Sequence, residues 1–241
     1  MRISRGIATL SIATLALVGV SSCSSDEPEE TATTAEETDA PEADEAEPET
    51  AEPEEDASDE PAGSGSTASW AKPVTTPGTL LTTVTSDQFT LDVYQVGVTQ
   101  ATKTGQFADA DGNPIITEGS DIVFVNYIVT NTSGETIPIG ASLVDVSARY
   151  ADWPYMQGMD SIVDNALFEE QEVNSSGAAT DSYVDPYVLQ WEPGTQFSYG
   201  ENFLYQAGSP ITFDVTMVPV DDEGDLVHDE KVEVTADTAI E

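Results

Sequence analysis

Positive charge is scarce in this sequence. Its 241 residues include 6 lysines and arginines against 46 aspartates and glutamates, a formal charge of −40. Phosphate contacts need basic side chains, so nucleic-acid binding is excluded. A single cysteine, Cys23, leaves no partner for an internal disulfide. A single histidine, His228, cannot complete a zinc cluster of ordinary spacing without cysteines in the same domain. A serine hydrolase would need His228 as its base, and no Gly-x-Ser-x-Gly elbow supplies a nucleophile. Long apolar runs are also missing. The uncharged stretch over residues 7–20 would be about 21 Å long as a helix, short of a roughly 30 Å hydrocarbon core.

That stretch follows Arg2 and Arg5 and precedes Val20-Ser21-Ser22-Cys23. A basic start, an apolar middle and small residues at the end form the pattern of a removable export signal. The last four residues resemble the bacterial lipobox. The resemblance implies that residues 1–22 are cleaved and that Cys23 takes a diacylglyceryl group through its thiol. Cys23 would then be the lipidated N-terminus, and the membrane a partner through this anchor. Two or more acyl chains, at about 0.8 kcal/mol per buried methylene, hold a protein firmly. The location implied is the extracytoplasmic face of the bacterial membrane.

Residues 23–69 read as a lipid-anchored, disordered, acidic linker. Between positions 26 and 60 there are 18 acids, no base and no aromatic residue. Such a segment buries too little apolar surface to offset its ordering entropy. Gly63-Ser64-Gly65-Ser66 reads as a flexible hinge before a domain over 70–241.

From Trp70 onward, short apolar runs alternate with turn signals. Phe89-x-Leu91-x-Val93 alternates as a half-buried strand does, and residues 122–129 form a β-branched run suited to a central strand. Further strands are expected at 143–146, 197–199, 203–205, 211–218 and 232–234. Turn formers separate them: Asp111-Gly112-Asn113-Pro114, Asn131-Thr132-Ser133-Gly134, Glu192-Pro193-Gly194 and the acidic residues 221–225. Many short strands without strand–helix alternation predict an all-β fold, an antiparallel β-sandwich. The rhythm stops at about 150–183, which reads as a long, partly helical insertion. A helix is expected over 161–171, with Asp160 as N-cap and Ile162, Ala166 and Leu167 on one face.

Two stretches carry a resemblance. Val123-x-Val125-x-Tyr127-x-Val129-x-Asn131-x-Ser133 ends a strand in an Asn-x-Ser turn, and Leu189-x-Trp191-x-Pro193-Gly194 precedes Phe203-Leu204-Tyr205. Their order is similar to that in an immunoglobulin-like domain of unknown function found in many lipoproteins of Gram-positive bacteria. The resemblance spans about residues 85–235 and implies an immunoglobulin-like sandwich. It implies a non-enzymatic binding or structural module, with no catalytic residues to carry over and an unknown protein or cell-wall component as partner.

Aromatic residues Trp153, Tyr155, Tyr183, Tyr187 and Trp191 lie in or beside the insertion and are candidates for a binding patch, since Tyr and Trp dominate interface hot spots. Their alternative role is to cover the open side of the sandwich. Asp109, Asp111 and Asn113 imitate the start of a calcium loop, but Pro114 and Ser120 occupy the positions where glycine and glutamate are needed. A β-turn fits them better than a calcium-stabilised domain. Met156, Met159 and His228 offer soft-metal donors, although the methionines are expected to pack on Trp153 and Tyr155. No cofactor beyond the lipid is expected. The enzymatic alternative is a cell-wall glycan hydrolase using paired carboxylates.

Overall fold

A computed structural model describes residues 65–241. The export signal, Cys23 and the acidic run of positions 26–60 lie outside the described residues.

The described chain is all-β. Its strands are β1 Ser66–Thr67, β2 Thr79–Thr85, β3 Phe89–Gln100, β4 Asp121–Asn131, β5 Ile137–Tyr150, β6 Leu189–Trp191, β7 Thr195–Leu204, β8 Pro210–Pro219 and β9 Val232–Ala239. One sheet runs in the order β1-β7-β4-β3-β2 and the other β6-β5-β8-β9. Every pairing is antiparallel except that of β1 with β7.

Side-chain alternation explains how the sheets meet. Val123, Val125, Tyr127 and Val129 of β4 share a core with Phe213, Val215 and Met217 of β8. Ring contacts bridge the two sheets, with Tyr127 and Phe213 centroids 6.1 Å apart and Tyr150 and Phe203 at 5.7 Å. The other face of β4 is buried too. Ile122 and Phe124 pack beneath Ile162, Leu167, Phe168 and Val173 of the long connection between β5 and β6. Two buried faces account for the nearly continuous apolar run at 122–129.

The expected runs at 197–199 and 203–205 are one strand. Gly200 and Glu201 continue its ladder opposite Asn126 and Val125. A Cβ at Gly200 would stand 2.0 Å from the Val125 carbonyl oxygen, so this close approach requires glycine. Strand β2 has no alternation of apolar and polar residues to mark it. Its Thr-Leu-Leu-Thr-Thr-Val-Thr sequence lies on a sheet edge, where only Val84 is fully buried.

Several expectations require correction. The ordered fold begins before position 70: Ser66 and Thr67 pair with Thr195 and Gln196, and Ala68 is buried. The helix is α1, Asn165–Glu170, and its N-cap is Asp164, which accepts from the Ala166 amide at 3.0 Å. Asp160 instead accepts from the amides of Gln106 and Phe107, both at 3.1 Å, and braces the connection between β3 and β4. Within α1, Ala166 faces solvent while Leu167 and Phe168 are buried. Phe168 supplies an edge contact to Phe124 at 5.1 Å that an alanine face cannot make.

Candidate functional site

The five aromatic candidates separate into three groups. Trp191 belongs to the core: it is fully buried, its ring lies 5.3 Å from Phe197, and its Nε1–H donates to the Thr195 carbonyl at 3.1 Å. Trp153 is buried just beyond β5, where it packs on Tyr150 and Tyr155 and donates to the Gln157 carbonyl. Arg149 fixes the same corner by donating to the Tyr155 carbonyl at 2.6 Å. Tyr183 and Tyr187 form the third group, with ring centroids 5.6 Å apart. Tyr183 is 71% exposed and Tyr187 half-buried.

The Tyr183–Tyr187 pair lines a groove of about 580 Å³ between the β5–β6 connection and the loop that follows β8. Val220 and Pro186 contribute apolar surface, and Leu226 lies on the lip, 48% exposed. The Asp185–Pro186 peptide beside it is cis. The opposing loop is a hydrogen-bonded turn. Asp221 Oδ1 accepts from the amides of Glu223 and Asp225, and Gly224 takes a φ of +86°. A Cβ at Gly224 would lie 3.6 Å from that of Pro186, so the two loops meet closely there. Asp185 and Glu223 line the groove, and among the described residues no basic one does.

The calcium candidate is a turn. Asp109 Oδ1 accepts from the amides of Asp111 at 2.9 Å and Asn113 at 2.8 Å, while Asn113 Nδ2 donates to Oδ2 at 3.1 Å. Hydrogen bonds from the Asn113 backbone and side chain hold the Asp109 carboxyl below its usual range. Both its oxygens are therefore engaged by its own loop. Met156 does not pack on Trp153 as expected: it is 98% exposed, whereas Met159 is half-buried against the main core. His228 is exposed in a single 3-10 turn. Among the described residues no three His, Cys, Asp or Glu side chains are grouped to hold a metal ion, and no helix is long and apolar enough to cross a membrane.

No family model and no curated protein matches the chain. A solved structure is similar to it. It is ycdA of Bacillus subtilis, described provisionally as a lipoprotein, at 15% identity and a TM-score of 0.35. The match covers 66% of this chain and 39% of that one. At that score, fold and function rest on the chain's own residues.

One half-buried group gave no signal in the sequence. Glu201 occupies an inward position on β7, opposite Val125 and two residues beyond Tyr199. Burial pushes its carboxyl up to about 7, and the neighbouring Asp145 charge adds to that, while the hydrogen bond from Tyr127 opposes it. A lone Glu in a Gly-Glu-Asn stretch reads as a turn or a solvated position. Only the strand's continuity turns it inward.

Proposed function

We propose that this chain is a lipid-anchored extracytoplasmic lipoprotein, held through Cys23, that displays a non-enzymatic immunoglobulin-like sandwich as a binding module. The strand order supports the fold reading. Counting β3, β4, β5, β7, β8 and β9 as strands A, B, C, E, F and G, the sheets contain A-B-E and C-F-G, with β2 added beside A, β1 beside E and β6 beside C. The groove at Tyr183 and Tyr187 carries the binding reading. It is the place where an exposed aromatic ring, an apolar floor and unpaired carboxylates come together on two loops. The ligand is a protein or wall component outside the membrane.

Two experiments test this. Mass spectrometry of the membrane fraction should find a lipid-bearing peptide beginning at Cys23, and Cys23→Ala should release the protein or leave it unprocessed. A soluble, unlipidated product from the unaltered gene would defeat the anchor. Photo-cross-linking from position 183 on intact cells should capture a partner that a probe on the outer edge of β9 does not. Equal capture from both positions would defeat the groove.

The glycan-hydrolase alternative needs two carboxylates facing an open cleft, and Glu201, although Asp145 is near it, points between the two sheets, which leaves that alternative second. Wall-glycan hydrolysis that disappears in Glu201→Gln would favour it over the binding module.

A further inference from the structure

We infer that the Tyr183–Tyr187 groove recognises the guanidinium group of an arginine carried by an apolar peptide segment. This rests on the groove being the binding surface and names the chemistry of its ligand. The first observation is the aromatic pair. Tyr183 exposes 71% of its surface, and its ring is tilted 38° from that of Tyr187, in a groove that Val220 and Pro186 also line. A planar guanidinium stacks on an aromatic face while its methylene stem covers apolar surface.

The second observation concerns charge. Asp185 and Glu223 are exposed carboxylates in the same groove. The basic residues of the described chain are engaged or stand elsewhere. Lys231 pairs with Glu233 at 2.9 Å, Arg149 donates to the Tyr155 and Gln157 carbonyls, Lys103 donates to the Val163 carbonyl, and Lys72 lines a separate cleft. Among the described residues no cation lines the groove. An incoming guanidinium meets acceptors in two loops and can pair with a carboxylate in bidentate fashion.

The third is size. About 580 Å³ lies within the usual range of ligand sites and exceeds what one side chain fills. Leu226 on the lip, 48% exposed, gives the residue next to the arginine an apolar contact. A peptide alternating arginine and leucine therefore fits better than a free amine.

The acidic surface as a whole attracts any cation, so the test must separate the groove from that background. The full chain, solubilised in detergent, is titrated calorimetrically at physiological salt with an acetylated hexapeptide alternating arginine and leucine. A twin peptide carries citrulline in place of arginine, and free arginine amide is the third ligand. Binding of the arginine peptide should weaken about tenfold in Tyr183→Ala and stay within about twofold in Tyr183→Phe, because both rings offer a π-face. Citrulline, which keeps the shape and loses the charge, should weaken it at least as much.

Equal affinity in the unaltered chain and Tyr183→Ala would overturn the inference, since only diffuse attraction would remain. Tyr183-dependent binding of the citrulline peptide at full strength would overturn it too, while leaving the groove as a binding surface. Free arginine amide binding as tightly as the peptide would remove the peptide from the assignment.

Discussion

The Tyr127 hydroxyl donates to Glu201 Oε1 at 2.5 Å, joining adjacent strands β4 and β7 through two side chains that point into the core. A carboxyl in that position is costly when ionised. The fold keeps it between Val125 and Tyr127 on one strand and Tyr199 and Phe203 on its own. The Tyr199 hydroxyl is turned away to the Val144 carbonyl at 2.6 Å, which leaves Tyr127 as the donor.

This pair predicts the pH dependence of stability. Glu201 rises from an ordinary 4.5 in the unfolded chain to about 7 in the fold. A raised folded value means that the folded state holds the proton more tightly. The contribution is therefore complete below about 4.5 and lost as pH rises through about 7. Unfolding free energies from denaturant titration should fall across that window by an amount on the order of 2–3 kcal/mol, and Glu201→Gln should flatten the curve there. Tyr127→Phe removes a bond that favours the ionised form, so the inflection should move up. An unchanged curve in Glu201→Gln would assign the slope to other acids.

A second prediction concerns the connection between β5 and β6. The Asn202 side chain accepts from the Ile162 amide at 2.8 Å and donates to the Ile162 carbonyl at 2.9 Å, all of it buried. Asn202→Ala leaves both backbone groups without partners, at about 2–3 kcal/mol. Limited proteolysis should then cut within residues 151–188 sooner than elsewhere. Uniform cleavage would mean that Asn202 does not hold this segment down.

Asn131 offers a near-isosteric test. Its Nδ2 donates to the carbonyls of Trp191 at 2.7 Å and Glu135 at 2.8 Å, and its Oδ1 accepts from the Ser133 amide. Asn131→Asp places a carboxylate against two carbonyl oxygens in a buried site and should cost about 2–4 kcal/mol in urea unfolding. A loss below about 0.5 kcal/mol would show that the Asn-x-Ser turn does not depend on this amide.

Trp191 and Tyr183, both aromatic candidates in the sequence, should behave oppositely. Trp191→Ala removes a fully buried ring and should cost about 3–5 kcal/mol. Tyr183→Ala should change stability by less than about 0.5 kcal/mol and act on binding alone. Thermal melts of the two variants give the comparison, and a large loss in Tyr183→Ala would make its ring structural.

Local pattern made much of this architecture legible. Alternation at Phe89, Leu91 and Val93 marked β3, the β-branched run at 122–129 marked β4, and the turn residues at 131–134 and 192–194 fell where the chain reverses. Each of these signals is short-range: side-chain period, χ1 stiffness, or a backbone that needs a positive φ. The helix start is ambiguous in sequence because Asp160 and Asp164 are equally good caps in isolation. The choice fell to Asp160's bonds to the amides of Gln106 and Phe107, some fifty residues away in sequence.

The candidate site was less legible, for the same reason. By itself the sequence determined the all-β class, the run of strands and turns, the excess of negative charge and the residues able to form an aromatic patch. Tertiary structure decided which aromatics remain available. Trp191 was enclosed when β6 joined β5, Trp153 was covered by Tyr150 and Tyr155, and Tyr183 alone kept most of its surface beside Tyr187. It also turned Glu201 inward, since the face a strand residue presents depends on pairing register, and a shift of one residue would have placed that carboxyl in water.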